Sequence, residues 1–118
     1  MRFSPEDFLR VSEDILAGDG SEAHYRTVVN RAYYAAFGYA VEEFGLKVFD
    51  GSVHRVTYNT LKNSTQTEYI NAGIKLELLF KKRKEADYNY SVRIKRHTSE
   101  YSIKEAKEII QLLRAPEI

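Results

Sequence analysis

At 118 residues the chain is long enough to bury one core and too short to divide, so residues 1–118 read as a single domain. Hydrophobic residues make up 43% and charged residues 30%, an ordinary globular balance, and the absence of cysteine excludes disulfides, thiol nucleophiles and cysteine-ligated metal. The formal charge of +1 decides nothing about nucleic acid. No apolar run approaches the roughly 20 residues that span a bilayer and no signal peptide is evident, so no membrane role is expected and the expected setting is cytoplasmic.

The two prolines stand at positions 5 and 116, which leaves the interior free of helix breakers and predicts an all-α fold, an up-and-down bundle of four to five helices. Ser4, Pro5, Glu6 and Asp7 read as a helix start, with the serine as N-cap and acids at the positive end of the dipole. Phe8, Val11 or Ser12, Ile15 and Leu16 give the first helix its apolar face, and Gly18, Asp19 and Gly20 end it.

Ser21 and Glu22 open the second helix, which is expected to run to about Gly45 as a C′ glycine. Tyr25, Val28, Val29, Ala32, Tyr33, Ala36 and Ala40 share one stripe, while Tyr34, Phe37 and Val41 lie on roughly the opposite side. A helix apolar nearly all round is buried on several faces. Its alanines admit close neighbours, and Tyr34, Phe37 and Val41 are a candidate dimer contact. Arg31 sits among these residues and needs an acceptor if buried.

Asp50, Gly51 and Ser52 form a turn and N-cap for a short third helix from about Val53 to Lys62, expected to bury Val53, Val56, Thr60 and Leu61. Asn63, Ser64, Thr65 and Gln66 read as a break, the alternative being a continuous helix kinked there. A fourth helix runs from Thr67 to about Ala86, its stripe built on Tyr69, Ala72 or Gly73, Leu76 and Phe80 and widened by Ile74 and Leu78. Residues 87–101 show no helical period; Tyr88, Tyr90, Val92 and Ile94 alternate as in an extended arm, long for a bundle connection. Ser102 and Glu105 match a capping box for the fifth helix, whose stripe is Ile103, Ala106, Ile110 and Leu113.

Between Lys81 and His97 stand seven basic and two acidic residues, against eleven basic and fifteen acidic in the rest. The near-neutral chain therefore carries a strong local excess of positive charge. The basic patch of Lys81, Lys82, Lys84, Arg93, Lys95 and Arg96 suits phosphates or an acidic partner, and Tyr88 and Tyr90 can stack on bases. The plainer reading is a solvated helix end with lysines near the negative end of the dipole.

His24, His54 and His97 lack metal-ligand spacing, so no metal and no cofactor is expected. A metal-independent ribonuclease needs a histidine near an arginine or lysine. Arg93 with His97, and Arg55 beside His54, are the adjacent pairs. The carboxylate pairs Glu42 with Glu43 and Glu105 with Glu108 read as solvated faces. No glycine-rich phosphate loop or nucleophile motif is present.

The run from Tyr25 and Arg26 through Asn30, Arg31, Ala32, Tyr33, Tyr34, Ala35, Ala36 and Phe37 resembles the signature helix of HEPN domains. Leu79, Phe80, Arg83, Ala86, Asp87 and Tyr88 resemble the R-x-x-A-D-Y element of the same branch. The resemblance spans roughly residues 4 to 113. It implies a helical bundle that forms a homodimer, often paired with a minimal nucleotidyltransferase in toxin–antitoxin or defence systems. It also implies, for many members, a metal-independent ribonuclease built on Arg, four to six residues, then His.

Here Arg83 is followed by Asp87 and Tyr88 rather than by a histidine, so the ribonuclease motif is absent and any variant active site falls to Arg83, Arg93 and His97. A carboxylate does not replace imidazole as a neutral-pH proton shuttle unless its pKa is raised. Arg83 and Asp87, four apart, read as an ion pair ordering the helix end with help from Tyr33 or Tyr34. The expectation is a non-catalytic binding or partner subunit. Arg31, Tyr34, Arg83, Asp87 and Tyr88 form its ligand site for a nucleotide, an RNA phosphate or an acidic loop of a partner; the alternatives are a variant ribonuclease and a purely structural module.

Overall fold

The computed structural model describes residues 2–18, 20–44 and 52–115, and it is all-helical there. Five helices follow in order: α1 (Asp7–Ala17), α2 (Glu22–Phe44), α3 (Val53–Lys62), α4 (Thr67–Tyr88) and α5 (Arg96–Arg114). The expected Gly45 cap, the Asp50–Gly51 part of the turn, Asp19 and Pro116 lie outside the described residues. Among those described, no helix is long and apolar enough to cross a membrane.

Side-chain contacts fix the directions. Ser12 Oγ donates to Val28 O (3.3 Å), and a Cβ on Gly38 would sit 2.8 Å from Cβ of Pro5, so α1 and α2 are antiparallel. Arg26 reaches the end of α4 while Phe44 packs on Tyr69 near its start, so α2 and α4 are antiparallel too. Lys75 meets Glu105 and Glu108, Arg114 meets Glu6 and Lys107 meets Glu13. The long helices α1, α2, α4 and α5 therefore alternate up and down, with α3 laid against α4.

Helix α2 is the centre, as its composition requires. Val28, Val29, Ala32, Tyr33, Ala35, Ala36 and Ala40 are fully buried, and α1, α4 and α5 all pack on it. The alanines leave room for three neighbouring helices at close range, and Leu76, Leu79, Ala106, Ile109 and Leu113 fill the space between.

Helix α1 begins at Asp7 with Glu6 in the N-cap position and no side-chain cap, so Ser4 is not the N-cap expected but closes the turn just ahead of the helix. Its carbonyl accepts from Asp7 N–H (2.8 Å), and its own N–H donates to Asp7 Oδ2 (3.0 Å). At the start of α2, Ser21 N–H donates to His24 Nδ1 (3.2 Å) and the two side chains meet at 2.8 Å, which accounts for His24 as a cap.

Four further sequence expectations are corrected. Helix α5 begins at Arg96, not Ser102, and α4 continues to Tyr88, so the connection shrinks to residues 89–95. The apparent capping box fails because Ser102 Oγ bonds back to Thr98 O (2.8 Å) and Glu105 turns to Lys75 (3.2 Å). Glu105 is correspondingly buried rather than solvated. On α4, Ile74 and Leu78 are exposed, the buried face being Ala72, Gly73, Leu76, Leu79, Arg83 and Ala86. On α3, Thr57, Tyr58 and Leu61 are buried, while Val56 and Thr60 face outward.

Phe37 and Tyr34, on the side read as a dimer contact, are already packed within the chain. Phe37 stacks on Tyr33 at 5.6 Å and lies 4.4 Å from the His54 ring, and Tyr34 meets both Tyr33 and His54.

The α3–α4 crossing is tightest at Gly73, where a Cβ would fall 2.8 Å from both Leu61 Cβ and the Lys62 backbone nitrogen. Over-packing against backbone costs about 1–3 kcal/mol, more than the roughly 1 kcal/mol of helix propensity that alanine adds. Gly73→Ala is therefore expected to lower the denaturation midpoint. Gly18→Ala, whose Cβ would meet only Ile15 O at 3.7 Å, is expected to leave it within about 0.5 kcal/mol. A Gly73→Ala protein as stable as the parent would rule out this close approach.

Candidate functional site

The site grows out of the antiparallel crossing of α2 and α4. Arg83 is 6% exposed on the buried face of α4, and a charge held there needs compensation. One turn on, Asp87 Oδ2 accepts from Arg83 Nη1 at 3.3 Å and from the Asn30 amide at 2.8 Å. Around the guanidinium lie four rings, Tyr34 and Phe80 at 5.4 Å, Tyr33 at 5.6 Å and Tyr88 at 5.8 Å from its central carbon. Their faces offer diffuse negative potential to a cation. Arg83 Nε is buried without a hydrogen-bond partner among the described residues, so its charge is held by one carboxylate and the rings.

Asn30 links this buried pair to the surface. Its amide nitrogen serves Asp87, and its oxygen accepts from both Nε (2.7 Å) and Nη2 of Arg31. Arg31 lies over Phe8 at 4.8 Å and Tyr34 at 5.6 Å. It has no carboxylate partner among the described residues. The five residues expected to form a ligand site, Arg31, Tyr34, Arg83, Asp87 and Tyr88, are thus joined by direct contacts, with Asn30 as the link that sequence reasoning did not single out. A hollow of about 460 Å³ opens beside them, lined by Arg26, Asn30, Arg31, Asp87 and Tyr90 over the small residues Ala23, Thr27 and Ala86.

Arg26 is the second residue missed. It donates from Nη1 to the carbonyls of Ala86 (2.8 Å), Asn89 (3.2 Å) and Glu85 (3.3 Å), and from Nη2 to Val92 O and Glu22 Oε2. It caps the C-terminus of α4 and straps the connection down. Glu22 Oε2 also accepts the Ile94 N–H at 2.9 Å. That bond, followed by Arg26, holds the Glu22 carboxyl below its usual range. Ile94 is buried against Val29 and Ala86. The connection is a fastened strap, not a free arm.

The basic patch does not stay together. Lys81 and Lys82 line a hollow on the α4–α5 side with Tyr101 and Glu105, paired to Glu77 (3.8 Å) and Glu85 (3.1 Å), while Lys84 lies over Phe80. Arg93, Lys95 and Arg96 line another, of about 390 Å³, with Ser21, Glu22 and Tyr25 at the start of α2. Arg96 pairs loosely with Glu100 at 3.6 Å. The variant catalytic set is also dispersed: Arg83 is buried, Arg93 and His97 are exposed, and no hydrogen bond or ion pair among the described residues joins either of them to Arg83.

The histidine beside Arg83 is instead His54. Its ring stacks on Phe80 at 4.9 Å and contacts Phe37, and Nδ1 lies 2.7 Å from the Tyr33 hydroxyl. Burial first, then the Arg83 charge, pushes its pKa down, while burial pushes Tyr33 up. Nothing in the spacing of His54 from the α2 and α4 motifs signals this placement. Among the described residues no cluster of His, Asp or Glu is placed to hold a metal.

No family model, curated protein or solved structure matches the chain.

Because His54 holds its proton less tightly in the folded chain than in the unfolded one, acid favours unfolding. The stability it confers is present above its ordinary pKa of 6.5 and is lost as pH falls from there through the folded-state value. The loss of melting temperature between about pH 7.5 and 5.5 is expected to be smaller in His54→Phe than in the parent. Equal losses in the two proteins would remove His54 from the pH response.

Proposed function

We propose that the chain is a HEPN-like bundle acting as a non-catalytic binding or partner subunit that takes a nucleotide or RNA phosphate at the Arg31 hollow. The observation that carries this reading is Arg31 itself. Its guanidinium is held over two rings and, among the described residues, bonded only to a neutral amide, so it lines the hollow with no carboxylate partner there. A planar donor set so placed suits a phosphate oxygen pair. Tyr90, 81% exposed in the lining of the same hollow, offers a face to a base, and Tyr88, 70% exposed, lies over Arg83 next along α4.

The family assignment is supported by the helical bundle and by the meeting of the two motif-bearing helices through Asn30, Asp87, Arg83 and Tyr34. A variant ribonuclease has less to draw on. His97 is exposed and, among the described residues, shares no hydrogen bond or ion pair with Arg83, and His54 is stacked between rings with one nitrogen committed to Tyr33.

In a fluorescence titration with an adenosine nucleotide at low salt, Arg31→Gln is expected to weaken binding about tenfold, one charge-assisted phosphate contact. No binding by the parent, or an unchanged Arg31→Gln, would refute the site. RNA incubated in EDTA is expected to stay intact. Cleavage abolished by His97→Ala would reinstate the ribonuclease.

The homodimer and the minimal nucleotidyltransferase partner implied by the resemblance belong to the same proposal. The apolar surface open to such a contact is the α4–α5 seam, where Ile74, Leu78 and Tyr101 are exposed. Leu78, 57% exposed, makes the sharper probe than Phe37. Leu78→Glu is expected to keep the helical spectrum and to halve the mass seen by light scattering. A dimer that survives the change places the contact on another face.

A further inference from the structure

Two of the hollows along the first three turns of α2 adjoin. The hollow at the helix start takes Arg93 and Lys95 from the connection and Arg96 from the start of α5, and the one further along takes Arg31 and Tyr90. They adjoin at the Glu22–Arg26 pair, because Glu22 lines the first, Arg26 lines the second, and the two side chains meet at 2.8 Å. The result is a track along α2 from residue 20 to residue 31.

The helical part of this track, Glu22 to Arg31, is about 14 Å long at 1.5 Å per residue. On a stacked strand each nucleotide advances about 3.4 Å along the strand axis, so a run of about four or five nucleotides covers it and a mononucleotide does not. The charges along it are unevenly committed. Glu22 already accepts from Arg26 and Ile94, and Asp87 from Asn30 and Arg83. Arg31 and Lys95 have no carboxylate partner among the described residues, and Arg93 forms no ion pair there, although its charge is close enough to act on Glu22. Tyr90 stands over Arg26 at 5.7 Å with its other face open.

Resting on the nucleotide reading above, we propose that single-stranded nucleic acid lies along the start of α2, its phosphates on Arg93, Lys95 and Arg31 and a base on Tyr90. Lys81, Lys82 and Lys84 take no part, although the sequence places them in the same basic run. Lys81 and Lys82 open on the α4–α5 side and are engaged with Glu77 and Glu85, and Lys84 lies over Phe80.

The test is fluorescence anisotropy with labelled oligouridylates of one to eight nucleotides at low salt. Affinity is expected to rise at least tenfold from one nucleotide to about five and then level off. The double variant Arg93→Gln, Lys95→Gln is expected to lose about tenfold on the pentamer and leave the mononucleotide unchanged. It is also expected to lower the slope of log K against log salt by about 1.4, two contacts at about 0.7 each. Tyr90→Ala is expected to lose about tenfold, a typical single stacking contact. Lys81→Gln with Lys82→Gln is expected to bind as the parent does. All the altered side chains are exposed or half-exposed, so circular dichroism should match the parent.

Length-independent binding, or an equal loss in the two double variants, would overturn the track while leaving the nucleotide site standing. Absence of binding at every length, mononucleotide included, would overturn both.

Discussion

One carboxylate oxygen holds the crossing of α2 and α4 together. Asp87 Oδ2 receives the Arg83 guanidinium from its own helix and the Asn30 amide from the facing one. Taking the carboxylate away would leave a buried cation with rings alone, a loss of about 3–5 kcal/mol in comparable buried pairs. The aromatic cluster depends on the same anchor, since Tyr33, Tyr34, Phe80 and Tyr88 are gathered around that guanidinium and His54 of α3 packs onto three of them. Stability and candidate site therefore share one interaction. A change at Asp87 acts on both, which makes it a poor probe of either.

The two arginines of α2 near this crossing show what separates a structural cation from an available one. Arg26 has acceptors for all three guanidinium nitrogens, four backbone carbonyls and one carboxylate, which the end of α4 and the connection supply because helix termini leave carbonyls unpaired. Arg31, little more than one turn further along, has a single side-chain oxygen. The chain thus uses one arginine to close the α4–α5 junction and leaves the next one facing a hollow. Residue type alone does not distinguish them; the carbonyls within reach do.

This is also where the sequence stops being legible. The central role of α2, the α3 boundaries and the break before Thr67 follow from apolar periodicity and turn residues, which are local properties. The pairing of Arg83 with Asp87 follows from i, i+4 spacing, and the union of Arg31, Tyr34 and Tyr88 with them from two motifs on packed helices. What fails are features decided by a distant partner. Ser102 and Glu105 imitate a helix start because nothing in the sequence shows Lys75 waiting across the seam. Ile74 and Leu78 look like core because α4 is apolar on more than one side. The basic run reads as one patch, but the end of α4 and the turn into α5 send its two halves to different faces.

The proton chemistry of the crossing bears on what it can do. General acid–base catalysis needs a group whose lone pair or proton is free to reach a substrate and whose pKa lies near the working pH. His54 is pushed toward its neutral form by burial and by Arg83, but its Nδ1 is tied to Tyr33 and its ring is packed against Phe37 and Phe80, so its lowered pKa serves the packing. Tyr33, fully buried with its pKa raised, keeps its proton at neutral pH. Asp87 is engaged with two donors and Arg83 with a carboxylate. Each group of the crossing that would have to move a proton is engaged by a neighbour, while Arg31, bonded to a neutral amide, has no carboxylate partner among the described residues. That division of labour is what the proposed binding role asks of the crossing.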